Sequence, residues 1–154
     1  MRLLDAMILI YFSKVDLLEA LLQLPDLAVT TSVRNELRRS SPAREAVEAA
    51  IADGLLALCD IDPENGTERT LYIMYRDGDG FDGLGEGEAT SMSVACARGL
   101  TFVSHDRKAR ERAASGGIRL LDWPDLLAEL NDAGVITARQ RRQAEQAIRS
   151  LLRE

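Results

Sequence analysis

The sequence predicts an α/β sandwich built on a mostly parallel sheet, and two observations carry that prediction. Short apolar runs recur along the chain with helical patterns between them, which is the signature of strands buried under crossover helices. Residues with a defined start or stop role stand at many of the joins. The strands expected in order are RLL (2–4), DLAVT (26–30), GLLALCDI (54–61), LTFVS (100–104) and IRLLDW (118–123), each bounded by Gly, Pro or Asp. The helices expected between them are VDLLEALLQL (15–24), SVRNELRRS (32–40) leading into SPAREAVEAAIADG (41–54), PENGTERTLYIMYR (63–76), GEATSMSVACARG (87–99) and DRKARERAASGG (106–117). Gly54, Gly99 and Gly116 fall just past helical patterns, where a left-handed C-cap is required. Pro124 suits the first turn of PDLLAELNDAG. Thr137 and Gln140 form a capping box that opens a C-terminal helical extension over about 137–152.

At 154 residues the chain reads as a single domain, 1–154, large enough to bury a core without covalent staples. Its 46% hydrophobic and 29% charged content is that of an ordinary globular protein. Cys59 and Cys96 lie in apolar stretches, not in paired motifs, so neither a disulfide framework nor a zinc cluster is expected. The N-terminal MRLLDAMILIYFSK starts like a secretory signal, but Asp5 interrupts it, Lys14 closes it and no small-residue cleavage site follows. No segment is long enough to cross a bilayer. A cytoplasmic protein without a membrane partner is the expectation. The net charge of -6 argues against a general nucleic-acid binder. Basic clusters at Arg34, Arg38 and Arg39, at Arg107, Lys108, Arg110 and Arg112, and at Arg139, Arg141 and Arg142 read as solvated helix faces. Acids that converge on a cation would make the surface less repulsive to phosphate than the formal charge suggests.

The stretch YRDGDGFDGLGEGEATSM (75–92) concentrates acids among five glycines. Asp77, Asp79 and Glu88 fall at positions 1, 3 and 12 of an EF-hand loop, yet Phe81 and Asp82 occupy positions 5 and 6, where an oxygen ligand and a glycine are required. A distributed site is the better reading, because ligands of a parallel sheet collect beyond the C-terminal ends of its strands, where the strand order reverses. Asp5 ends the first strand inside an apolar run, a setting in which a carboxylate must recover its lost hydration from a cation, hydrogen bonds or protonation. Glu36 lies at the edge of the buried stripe of the helix after the second strand. Glu88 opens a helix behind Gly85 and Gly87, with Glu86 as its local competitor. Asp106 follows the fourth strand by two residues. Helix capping alone would account for Asp5 or Asp106. Four acids at one sheet edge would repel by several kcal/mol without a counter-ion, since like charges about 4 Å apart cost that much at an effective dielectric near 20. Oxygen-only ligands suit Mg²⁺ or Mn²⁺.

The segments LLDA near the start, TTSVRNEL, GEGEATSMSVA and TFVSHDRKAR, in that order, resemble the PIN domain family, the metal-dependent ribonuclease fold of VapC-type toxins. The tail GIRLLDWPDLLAELNDAGVITARQRRQAEQAI is similar to the PIN subgroup with a Gly-Val-Ile turn and one more helix. The resemblance implies a three-layer α/β/α sandwich with a parallel sheet of four to five strands. It implies hydrolysis of single-stranded RNA with Mg²⁺ or Mn²⁺ held by a catalytic quartet of Asp5, Glu36, Glu88 and Asp106. Asp5, Glu88 and Asp106 would be the main ligands, and Glu36 would complete the site or orient water. Ser104 matches the family's Ser/Thr before the last acid, and Arg107 and Lys108 would contact the RNA backbone. A cognate antitoxin and a homodimer are implied as partners. Met7 departs from the small polar residue that relatives often carry there, and the Gly-Asp run before Glu88 is longer than expected, with its other acids forming a mobile rim.

Two rivals follow from the residues. One is a catalytically inactive PIN-like module that acts through protein contacts. The other is a receiver-like phosphoacceptor, which would use Asp60 or Asp62 at the third strand but lacks a lysine after the later strands. His105, the only histidine, reads as an exposed loop residue. Tyr72, Tyr75, Phe81 and Trp123 are too scattered in sequence to form a stacking surface, and Trp123 is expected to pack.

Overall fold

The computed structural model describes residues 1–153. Five short strands, β1 (Arg2–Leu4), β2 (Leu27–Val29), β3 (Leu56–Leu58), β4 (Thr101–Val103) and β5 (Leu120–Leu121), lie parallel in one sheet. Their order is β3-β2-β1-β4-β5. Leu3 stands in register with Ala28 on one side and Phe102 on the other.

The two faces of the sheet are both covered, so both sides of each central strand are apolar. Leu4, Val29 and Val103 point into a core shared with the helices α1 (Ala6–Lys14), α2 (Leu18–Leu21), α3 (Thr31–Glu36), α4 (Pro42–Ala52), α8 (Trp123–Asp132) and α9 (Ala138–Leu152). Leu3, Ala28 and Phe102 point the other way, against α5 (Gly66–Asp77), α6 (Glu86–Arg98) and α7 (Arg107–Ser115). The result is a three-layer α/β/α sandwich. Each fully buried Leu or Phe in these layers stabilises the fold by roughly 1.5–3 kcal/mol relative to exposure. Helix α9 docks through Ala144 and Ile148, and its start is closed by the Thr137–Gln140 capping box.

Several boundaries differ from the sequence expectation. Residues 6–14 carry no clear helical period because AMILIYFSK is apolar nearly throughout, yet they form α1, with Ala6, Ile8, Leu9 and Phe12 buried and Asp5 as the N-cap. The VDLLEALLQL segment instead yields the single turn α2, bracketed by Asp16 and Asp26, both at φ 58. The third strand is three residues long, shorter than the 54–61 run, and lies at an edge of the sheet with Leu58 exposed. Gly99 takes the left-handed cap at φ 68, whereas after α7 the positive φ belongs to Gly117, not to Gly116. Among the described residues no helix is long and apolar enough to cross a membrane, and both cysteines are free.

Consecutive placement of β1 beside β4 makes their junction the point where strand order reverses. A crevice opens there beyond the strand ends.

Candidate active site

Asp5 leaves β1 directly into this crevice and is 4% exposed. Its Oδ1 accepts the Ala6 N–H at 2.8 Å and its Oδ2 accepts the Ser104 hydroxyl at 2.9 Å. Burial pushes the Asp5 carboxyl above its ordinary value, the two hydrogen bonds oppose that, and the charge of Asp106 adds to it. Ser104 comes off β4, is fully buried, and also accepts the Asp106 N–H at 3.1 Å. One hydroxyl therefore joins the ends of the two strands. Asp106 caps α7 by accepting the Ala109 N–H at 2.8 Å. The capping role and the crevice position expected for Asp5 and Asp106 coexist.

The opposite wall is made by helices. Glu36 ends α3, and α3 packs against α6, which Glu86 and Glu88 open. The Glu36 carboxylate rests on Gly87, whose missing side chain is what admits it: a Cβ there would collide with the Glu36 carboxylate. Burial, then Asp5, push the Glu36 carboxyl upward; the Gly87 N–H offsets this and Glu86 adds to it. Glu88 is half-buried and is pushed up to about 7 by burial first, then by Asp106 and Asp5, with the Gly85 N–H opposing and Glu36 adding. Glu88 thus feels the charge of the other three acids.

None of Asp5, Glu36, Glu88 and Asp106 is in an ion pair with Lys or Arg among the described residues. An oxygen-only set of carboxylates raised by burial first and by one another second, and lacking protein cations, fits a hard divalent ion. The side chains are nonetheless not gathered around a centre: among the described residues no group of three or more His, Cys, Asp or Glu is arranged to hold a metal ion.

The remaining acids of the glycine-rich stretch stay outside the site. Asp82 is exposed and lies 4.0 Å from Lys108, and none of Asp77, Asp79 and Asp82 contributes to the shifts of Asp5, Glu36 and Glu88. The loop is anchored on one side, where the buried Arg112 donates to Gly78 O and sits over the Phe81 ring at 4.4 Å and the Tyr75 ring at 5.2 Å. Gly78, at φ 100, leaves no room for a side chain against the Phe81 carbonyl. Arg107 is 91% exposed and pairs with Glu111, so it and Lys108 stand on the outer face of α7.

Three features escaped the sequence reading. His105 is only partly exposed; its Nδ1 lies 2.8 Å from Asp122 Oδ2, and its ring packs at 6.5 Å from Trp123. Tyr11 meets the His105 ring edge-on at 6.3 Å and 74°. Burial, then Asp122, Asp5 and Asp106, hold the Tyr11 phenol above its ordinary value, which places it among the crevice charges. Arg110 donates to the Ser104 and Leu121 carbonyls and so braces the ends of β4 and β5. No periodic signal marks these contacts; they join residues remote in sequence.

The comparisons agree with this fold. A chain in the crystal structure of VapBC2 from Rickettsia felis bound to a DNA fragment from their promoter shares the fold, with a TM-score of 0.50 and 20% identity over 79% of this chain and 98% of that one. A search of curated proteins finds no match. The family model DUF3368, a PIN domain, matches residues 1–154, and the chain belongs to this family of PIN domains.

Proposed function

We propose that the chain is a metal-dependent endoribonuclease that hydrolyses phosphodiester bonds of single-stranded RNA, as the toxin of a type II toxin–antitoxin pair. The observation that supports this reading is that Glu88 lies near enough to Asp106, Asp5 and Glu36 to be raised by all three, with none of the four in an ion pair with Lys or Arg among the described residues. Asp5, Glu88 and Asp106 would hold Mg²⁺ or Mn²⁺, with Glu36 completing the set. When bound, such an ion supplies charge stabilisation at phosphorus and water that ionises near neutrality.

The chain's own residues do the positioning. The Ser104 hydroxyl fixes the Asp5 carboxylate and the Asp106 backbone together, so two ligands share one support. Gly87 gives Glu36 its berth beside Glu88. Arg107 and Lys108, on the solvent face of α7, are placed to meet phosphates that trail away from the crevice. An antitoxin partner is supported by the fold shared with a VapBC2 assembly; a homodimer and a cytoplasmic location belong to the same proposal.

A second reading, an inactive PIN-like module acting through protein contacts, is favoured by the one observation that the acids are not gathered into a ready metal group. Thermal unfolding with and without Mn²⁺ separates the two, together with hydrolysis of labelled single-stranded RNA. The nuclease reading expects stabilisation by Mn²⁺, about 2.7 kcal/mol at a hundredfold excess over Kd, and RNA cleavage abolished by EDTA. Both effects should vanish in Asp106→Asn. RNA left intact by the wild-type protein in Mn²⁺ would sink it.

A further inference from the structure

We propose that Met7, Tyr11 and His105 form a wall beside the acidic crevice on which one unpaired base of single-stranded RNA stacks. The inference rests on the ribonuclease reading for its ligand and on independent geometry for its place. Met7 and Tyr11 are four residues apart on α1 and therefore share a face. Side chains of a helix lean toward its N-terminus, so Tyr11 leans back toward Met7 and toward Asp5, the N-cap of the same helix. Six residues of helix separate Asp5 from Tyr11, about 9 Å along the axis, so the two lie within reach of one bound strand.

His105 completes the wall from the other strand end. It sits between Ser104 and Asp106, and its imidazole is fixed by the 2.8 Å contact with Asp122, by Trp123 behind it and by the edge-on Tyr11 ring. Its side chain is still 37% exposed, and Met7, a large apolar residue, is 41% exposed. An apolar and aromatic surface in rigid support next to four carboxylates repels phosphate but accepts a neutral aromatic ring. A nucleobase meets that description, and the adjoining backbone phosphate would then lie over the acids and their ion. Met7, which departs from the family pattern, acquires a role as the apolar end of this surface.

The test is a cycle between protein and RNA. Binding of labelled single-stranded decanucleotides is measured by anisotropy in Ca²⁺, a hard divalent ion that offsets the charge of the acids, with an abasic nucleotide placed at each position in turn. Trp123, the sole tryptophan, backs His105 and gives a second signal through its emission. Tyr11→Ala is expected to weaken binding about tenfold, in line with base–aromatic stacking, and Tyr11→Phe to stay within about twofold of wild type. Wild type should lose a similar factor at one abasic position, and Tyr11→Ala should lose nothing further there. In Mn²⁺ the Tyr11→Ala variant should raise KM and leave kcat and the Mn²⁺-induced thermal shift unchanged, which shows that the fold and the acids are intact. An abasic penalty that is the same in wild type and Tyr11→Ala, or single-stranded RNA that does not bind, overturns the proposal. Hydrolysis without the coupling rejects the wall and leaves the nuclease reading standing; coupling without hydrolysis does the reverse.

Discussion

The crevice has two unlike walls, and they hold their acids by different means. Where β1 and β4 end, Asp5 and Asp106 are tied by hydrogen bonds: each caps a helix, and both meet the buried Ser104 hydroxyl. Across from them, Glu36 and Glu88 project from helix ends, and Glu36 depends on space provided by Gly87. The first wall is part of the fold's bonding, so damage to it spreads into stability. The second is a fit between a carboxylate and a missing side chain, so damage to it stays local. Function and stability are coupled on one side and separable on the other.

Substitutions that act on one wall at a time sharpen this contrast. Asp106→Asn should give the largest effect, lowering RNA hydrolysis by about 10²- to 10³-fold, the range seen when one charge-stabilising group is lost. Because Asn caps helices as well as Asp, urea unfolding should move by less than about 0.5 kcal/mol. Gly87→Ala should lower hydrolysis by about 10²-fold, since displacements of the order of 1 Å cost that much, while urea unfolding stays level or rises by up to about 1 kcal/mol. The displaced group is the free end of a flexible side chain, which is why stability is spared. A Gly87→Ala protein with wild-type activity would break the comparison at its weaker side. Ser104→Ala should reduce activity only about tenfold yet destabilise by about 1–3 kcal/mol, because it leaves buried partners of the hydroxyl unsatisfied; unfolding and initial rates measured on one preparation check both numbers.

The remaining effect is a pH slope, to which acids of both walls contribute. The folded protein keeps a proton on Glu88 up to about 7, whereas the unfolded chain releases it near 4.3. The contribution of Glu88 to stability is thus fully present below that lower value, declines as pH rises toward 7 and is constant beyond. Asp5 and Glu36, also raised, act with the same sign. Unfolding of the metal-free protein across this window should show the decline, Glu88→Gln should flatten it, and Mn²⁺ should stabilise more as pH increases because its ligands must be deprotonated.

Much of the strand-end wall was legible in the sequence. A carboxylate that closes an apolar run, as Asp5 does, is conspicuous, and Asp106 follows a run of the same kind. The strand order, and with it the β1–β4 switch, was not legible, because it depends on pairing between strands remote in sequence. The helix wall was legible only as residue types: nothing in Gly87 announces that it cradles Glu36, because that contact depends on the packing of α3 against α6. Tyr11 was hidden for another reason. Its helix is apolar nearly all round, so no period set it apart, and the single turn that follows took the helical reading in its place. The His105–Asp122 pair spans 17 residues and the Arg112–Gly78 contact 34, separations at which local pattern carries no information.

Arg112 has a bearing on how the molecule withstands handling. A stretch with five glycines between residues 78 and 87 has the composition of a hinge, and loop tips of that kind are the usual first cut for a protease. Here a guanidinium from the helix that Asp106 caps latches its proximal end, through the Gly78 carbonyl and the Phe81 ring. The most pliable composition in the chain is thereby moored to the same helix that carries one of the crevice acids, and a strain applied to the loop is transmitted to both banks at once.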